Sequence, residues 1–320
     1  MKLPQSVWRA IAAIAAVCLL GAAQAQDTLK IAAGQRGNWD TSVSEIGQRA
    51  GIFKKQGLVL EILWTQGSGE TQQAVLSGSV DIGVAVGIMG ALSSYSKGAP
   101  VRVIGAETTG ASDLYWYVLA GSPIKSLKDT EGKTIAYSTN GSSTHGVVTA
   151  FTKQYDLKAK PTATGGPAPT LTQVLSGQID VGWSAPPFGL KELDEGRIRI
   201  IATGNDAAVF KGQTVRLLIT NVQTLQSRKA AVDRFMKAYR ETIDWLYSDD
   251  PAALKTYADF VGISVATAKR TRDGFFPKAS VDPDKIIGLD AIVQDAVTLK
   301  FTSAPLTKEQ LAELIQIPPR

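Results

Sequence analysis

The feature that most constrains this chain is an internal duplication. Val75 to Val84 reads VLSGSVDIGV and Val174 to Trp183 reads VLSGQIDVGW. The match extends downstream, where Lys97 to Ala106 (KGAPVRVIGA) parallels Glu195 to Gly204 (EGRIRIIATG), and more loosely upstream, where KKQGLVLEIL (Lys54 to Leu63) parallels KQYDLKAKPT (Lys153 to Thr162). A period near ~100 residues is far longer than the roughly 20–50 residues of solenoid repeats. It points to a duplicated lobe rather than a stack of small units.

Each copy alternates short apolar segments with helical ones. In the first, strands are predicted at Leu29–Ala33, Val59–Trp64, Asp81–Ala85 and Val101–Ala106, and helices at Thr41–Phe53, Glu70–Ser77 and Met89–Ser96. In the second, strands are predicted at Thr134–Tyr137, Ala159–Thr164, Asp180–Trp183 and Ile198–Ala202. Such alternation implies parallel sheets covered on both faces, an α/β class. Gly78 and Gly177 fit helix C-terminal positions that require a left-handed backbone. Asp81 and Asp180, the repeated acids, read as turn or cap residues bonding local amides.

Two β-rich segments cross between the copies, Tyr115–Ala120 and Arg216–Thr220. They divide the chain into a discontinuous first lobe (26–114 plus 221–320), a second lobe (121–215) and hinge strands at 115–120 and 216–220. Val232, Phe235, Met236, Tyr239, Ile243 and Leu246 recur at helical spacing and form a face that packs on the first lobe. Asp250-Pro251 is a helix start, the acid as N-cap and the proline at the first helical position.

Residues 1–25 read as a secretory signal peptide: Lys2 and Arg9, an apolar run from Ala10 to Ala23, and a small-x-small site at Ala23-Gln24-Ala25. Cleavage after Ala25 places the mature chain in the periplasm and removes the only cysteine, Cys18. Without Lys2 and Arg9 the net charge falls from +5 to +3, spread along the chain, which argues against a nucleic-acid partner. With no His/Cys cluster and one histidine, His145, the chain offers no zinc site and no nucleophile elbow, so neither a metal, a cofactor nor a catalytic residue is expected.

The motifs IGQRAGIFKKQGLVLEI (Ile46 to Ile62), AVLSGSVDIGV (Ala74 to Val84), SLKDTEGKTIAYS (Ser126 to Ser138) and QVLSGQIDVGWSAPP (Gln173 to Pro187) resemble the substrate-binding proteins of ABC importers. The branch is the one that handles nitrate, sulfonates and taurine, with its SsuA/THI5-like and NMT1-like members. The resemblance implies the class II periplasmic binding protein fold, two Rossmann-like lobes joined by a two-strand hinge. It also implies a monomer that delivers its ligand to a membrane permease with a cytoplasmic ATPase. The THI5-type enzymes of this superfamily use a histidine and a cysteine-rich motif, and the mature chain has no cysteine.

Ligands of open parallel sheets bind beyond the carboxyl ends of the strands. This nominates, in the first lobe, Gln35, Arg36, Asn38 and Trp39 after the first strand, Gly67 and Ser68 after the second, and Gly87 after the third. In the second lobe it nominates Thr139, Asn140, Ser142, Ser143 and Thr144, then Gly166, then Trp183 and Ser184. The loop before the helix His145–Phe151 combines a glycine with unpaired helix-start N–H groups and suits an anion or a carbonyl. Arg36 offers a planar fork for a carboxylate or sulfonate, and Trp39 and Trp183 offer stacking faces. These features predict capture of a small organic anion: a sulfonate, a carboxylate or an aromatic acid. The alternatives are a neutral pyrimidine-like heterocycle held by the same donors, and a ligand sensor that does not serve transport.

Overall fold

The computed structural model describes residues 26–320. The leader and Cys18 lie outside the described residues. Ten strands form two sheets of matching design. The first sheet contains β1 (Asp27–Gly34), β2 (Leu58–Thr65), β3 (Ile82–Gly87), β4 (Val101–Thr109) and β10 (Thr214–Asn221), in the order β2-β1-β3-β10-β4. The second contains β5 (Tyr115–Leu119), β6 (Thr134–Tyr137), β7 (Lys160–Ala163), β8 (Gly182–Ser184) and β9 (Ile198–Thr203). Here β8-β5-β9 and β6-β7 are joined where Ala136 N–H donates to Val181 O (2.8 Å) and Val181 N–H to Thr134 O (3.0 Å). The resulting order, β7-β6-β8-β5-β9, repeats that of the first sheet. The duplication read from the sequence is thus a duplication of topology.

In each sheet one strand runs antiparallel, and it is the strand supplied by the crossing chain. β10 pairs antiparallel with β3 and β4, and β5 with β8 and β9. The segments expected as hinge strands are therefore integral sheet members, and the chain passes between the sheets through the short flanking stretches 110–114 and 204–213.

The cores follow from the strand period. On β1, Leu29, Ile31 and Ala33 enter a cluster on one face of the sheet, while Ala32 enters the cluster on the other. The first cluster takes the apolar stripe of the helix Lys229–Leu246, from Val232 to Leu246, together with Phe53 and Trp39. The second runs from the second lobe onto the opposite face of the first sheet, linking Phe151 and Trp183 to Val86, Met89 and Ile292. Asp250 caps the helix Pro251–Val261, accepting from Ala252 N–H at 2.9 Å. The helix expected over 41–53 is instead two, Trp39–Arg49 and Ile52–Lys55, because Gly51 between them takes φ +75°. Gly78 and Gly177 take φ +74° and +73°, as their helix-terminal positions require.

Asp81 and Asp180 act across the sheet, not locally. Lys30 N–H donates to Asp81 Oδ2 (2.8 Å), and Thr134 N–H donates to Asp180 Oδ2 (2.9 Å). Each carboxylate thus anchors the equivalent strand of its own lobe, β1 or β6, about half a lobe earlier in sequence.

Candidate functional site

The carboxyl ends of β1, β2 and β3 face those of β6, β7 and β8, and the two lobes meet there. The cavity enclosed between them is about 10 Å³, room for roughly one water. Its lining comes from both lobes. Gln35, Asn38, Asp40, Ser68, Ala85 and Arg216 stand on the first sheet and its helices. Ser138, Ser143, Thr144 and Trp183 stand on the second, and Leu114 sits in the crossing segment. Of the four non-glycine residues with left-handed φ among the described residues, Gln35 (φ +39°) and Ala85 (φ +60°) line this cavity. Backbone strain of this kind persists where the surroundings hold it, and functional sites are where it concentrates.

The lobes approach closely because glycine backbone lies at the seam. A Cβ on Gly87 would stand 2.6 Å from Ser143 N, one on Gly90 would stand 2.3 Å from Gly141 O, and one on Gly67 would stand 2.5 Å from Thr139 Oγ1. Thr139 Oγ1 also accepts from Gly69 N–H at 3.0 Å, and Ser68 Oγ accepts from Gly87 N–H at 3.3 Å.

Charge in the cavity is concentrated on one side. Arg216 on β10 is buried and donates to Asp113 Oδ2 (2.7 Å) and Thr108 Oγ1 (3.2 Å), with Asp40 Oδ2 at 3.4 Å. Its Nε reaches across the seam to Ser143 Oγ at 3.3 Å. Behind it, buried Glu107 accepts from Tyr239 OH at 3.1 Å. Burial pushes the Asp40 carboxyl above the usual carboxylate range, with Asp113 adding to the shift and Arg216 opposing it. Burial likewise holds Glu107 well above that range, reinforced by the charge of Asp40. Two acceptors beside the cavity, Asn38 Oδ1 and Asp40 Oδ1, are buried and without a hydrogen-bond partner.

Of the residues nominated from sequence, Gln35, Asn38, Ser68, Ser143, Thr144 and Trp183 line the cavity. Trp183 Nε1–H is held by Gly165 O at 3.1 Å. Gly67, Gly87, Thr139 and Ser142 build the seam, Ser142 as N-cap of the helix Ser143–Gln154. Asn140 accepts from Tyr137 OH (2.7 Å), and Gly166 N–H donates to Gln66 Oε1 (3.4 Å). Three lie elsewhere. Arg36 is exposed and stacks its guanidinium on Phe260, 4.3 Å from the ring centroid. Trp39 is buried in the first-lobe core, edge-on to Tyr257 and donating to Tyr247 OH at 3.2 Å. Ser184 Oγ donates to Phe188 O at 3.1 Å. The arginine at the cavity is Arg216, and the sequence signal for it was a lone charge inside the apolar run Val215 to Ile219. Ser138, which opens the candidate loop before the helix, lines the cavity as well, whereas Asp40, Asp113, Ala85 and Leu114 were missed, because nothing in their local sequence shows which way they face.

His145, the only histidine, does not line this cavity. Its Nδ1 accepts from Gly141 N–H at 3.1 Å, and its ring lies against Tyr137 and Phe301. Burial holds its pKa below the usual imidazole value.

Two duplicated α/β lobes closing their strand ends on one polar cavity define the periplasmic-binding-protein fold. Among solved structures, the chain is similar to the alkanesulfonate-binding protein SsuA of Xanthomonas axonopodis pv. citri bound to MOPS, with TM-score 0.74, 17% identity and coverage of 91% of this chain and 98% of that one. It is also similar to the nitrate-binding protein NrtA of Synechocystis PCC 6803, with TM-score 0.68, 12% identity and coverage of 90% and 84%. The chain belongs to the NMT1/THI5-like family, whose model matches residues 45–253. A curated relative, the 4-amino-5-hydroxymethyl-2-methylpyrimidine phosphate synthase THI5 of Saccharomyces cerevisiae, is 24% identical over 238 residues, 70% of this chain and 69% of that protein.

Proposed function

We propose that the protein is an exported, monomeric solute-binding protein that closes its two lobes on a small molecule and hands it to an ABC permease. The lobes, 26–109 with 214–320 and 115–203 once the crossing strands are counted with their sheets, move about the stretches 110–114 and 204–213. The fold, shared with transporter-associated binding proteins, supports this reading. So does the position of His145, which leaves the cavity without a histidine to act as base, and relatives named as synthases make that placement relevant.

Between the two ligand classes weighed above, the cavity favours the neutral heterocycle. The observation that carries this is the pairing of Arg216. Its charge is met by Asp113 and Asp40, while Asn38 Oδ1 and Asp40 Oδ1 stand without donors. A buried acceptor left without a donor costs about 1–3 kcal/mol, so the cavity rewards a ligand that brings N–H groups. A sulfonate group brings none and would face two carboxylates. An amino-substituted pyrimidine brings them, and Trp183 offers it an apolar face.

Calorimetric titration with 4-amino-5-hydroxymethyl-2-methylpyrimidine, and in parallel with methanesulfonate and ethanesulfonate, which carry no N–H, tests the assignment. The aminopyrimidine should bind, and Asp40→Asn should weaken it at least about tenfold, equivalent to about 1.4 kcal/mol. Tighter binding of the sulfonates, indifferent to Asp40→Asn, would overturn the ligand class. Failure of every solute to bind would overturn the binding role.

A further inference from the structure

Gly90 and Gly141, which meet at the seam, also line a second opening. It measures about 450 Å³, a size that takes a small organic ligand. Like the main cavity, it takes its lining from both lobes. Gln72 comes from the first-lobe helix Ser68–Leu76 and Lys97 from just past the helix Ile88–Ser96, Asn140, His145 and Thr149 from the second lobe, and Lys300 from the segment after the helix Leu289–Thr298.

Its chemistry is the opposite of the main cavity's. The lining holds two lysines and the histidine and no carboxylate. Because His145 Nδ1 accepts from Gly141 N–H, the neutral ring carries its proton on Nε2 and is a donor there. Gln72 is buried, only 5% exposed, with Nε2 engaged by Ser94; its unpartnered Oε1 is an acceptor and takes no part in holding an anion. Lys300 holds φ +63° just past a helix end, a place where glycine is usual.

We propose that this cavity is a second, allosteric site for a small oxyanion, a phosphate or carboxylate group, which bridges the lobes and favours the closed form. An anion held by Lys97 and Lys300 on one wall and by Asn140 and the His145 N–H on the other meets both walls only when the lobes are shut. It therefore binds the closed form more tightly and shifts the population toward it. Reciprocity then requires that it raise affinity for the solute in the main cleft by the same factor by which the solute raises affinity for the anion. The coupling rests on the cleft being the solute site. Occupancy by the anion does not.

The test uses the full mature chain in a Tris chloride buffer, free of sulfonate buffers. Inorganic phosphate, and in a second arm acetate and succinate, is titrated against potassium chloride at matched ionic strength. Calorimetry and melting temperature are read without solute. Phosphate should give a one-site isotherm and raise the melting temperature by several degrees. In the double variant Lys97→Gln/Lys300→Gln, phosphate affinity should fall at least about tenfold, with the phosphate-free melting temperature unchanged. The carboxylates binding in place of phosphate would assign the same site to a carboxylate. Addition of saturating anion should then raise affinity for whichever solute binds the cleft by about fivefold or more in the natural protein and not in the double variant. Three results would overturn the proposal: anions acting no more strongly than chloride, anion binding retained in the double variant, or anion competing with solute. Anion binding that leaves solute affinity unchanged overturns the coupling, and absence of any solute binding strikes the cleft assignment while leaving the anion isotherm to stand or fall alone.

Discussion

The two lobes share one strand order and one turn chemistry, yet they bring unlike side chains to the cleft. The first lobe and its crossing segment supply every charge: Asp40, Glu107, Asp113 and Arg216. The second supplies hydroxyls from Ser138, Ser143 and Thr144 and the indole of Trp183. The duplicated positions show the divergence directly, since Val84 fills the first core where its counterpart Trp183 reaches the cavity. A duplicated backbone thus yields a scaffold with two symmetric halves and a binding surface with none. One half orders a charged network at a cost in burial, and the other closes on it with neutral groups that carry little cost either way.

The sharpest way to break the comparison is to remove the charge that balances the first half. Arg216→Leu leaves Asp113 and Asp40 buried without a cation and should cost about 3–5 kcal/mol in urea unfolding. Ser143→Ala, which removes the neutral partner of the same guanidinium across the seam, should cost under about 1 kcal/mol. Equal losses would mean that the two halves share the load.

The repeated acids offer a second comparison. Asp81→Ala removes a strand anchor that is also paired with Arg228 at 2.7 Å, and should cost about 1.5–3 kcal/mol. Asp180→Ala removes an anchor whose lysine partner, Lys133, stands at 3.4 Å and is half exposed, so its loss should be the smaller of the two. A larger loss at Asp180 would contradict the ranking.

The seam glycines test closure itself. Gly90→Ala should stabilise its helix by about 0.5–1 kcal/mol, yet the added Cβ meets Gly141 O. Solute affinity should drop at least about tenfold, near 1.4 kcal/mol, and small-angle scattering should show the solute-treated variant staying extended. A tighter fold with unchanged affinity would mean that closure does not pass through this contact.

The smallest effect is on pH dependence. His145 is half-buried, and that burial holds its folded pKa below its unfolded one, so the unfolded chain binds the proton first. Its contribution to stability is present above the ordinary imidazole pKa of about 6.5 and is lost as the pH falls through that value toward the folded one. The stability gap between the natural protein and His145→Gln should therefore shift in favour of the variant on acidification, as followed by urea titrations across that range. A gap constant with pH would show that the ring is solvated.

Much of this molecule was legible in its sequence because the signals are local. The repeated VLSG-x-x-D-x-G segment, the period-two apolar strands, Gly78 and Gly177 at helix ends and the Asp250-Pro251 start each report on residues within a turn or a strand of themselves. They were enough to establish two matching lobes, the strand-end loops that meet and six of the residues at the cavity. Which side chains face inward was decided by the tertiary structure. Arg36 and Arg216 are both arginines beside strand ends, but packing lays one on Phe260 and seats the other between Asp40 and Asp113, far from it along the chain. Trp39 and Trp183 were indistinguishable as aromatic neighbours of cleft loops until Tyr247 and Tyr257 claimed the first for the core. A buried charge is stable only where partners from distant segments converge on it, and that convergence is a property of the assembled sheets.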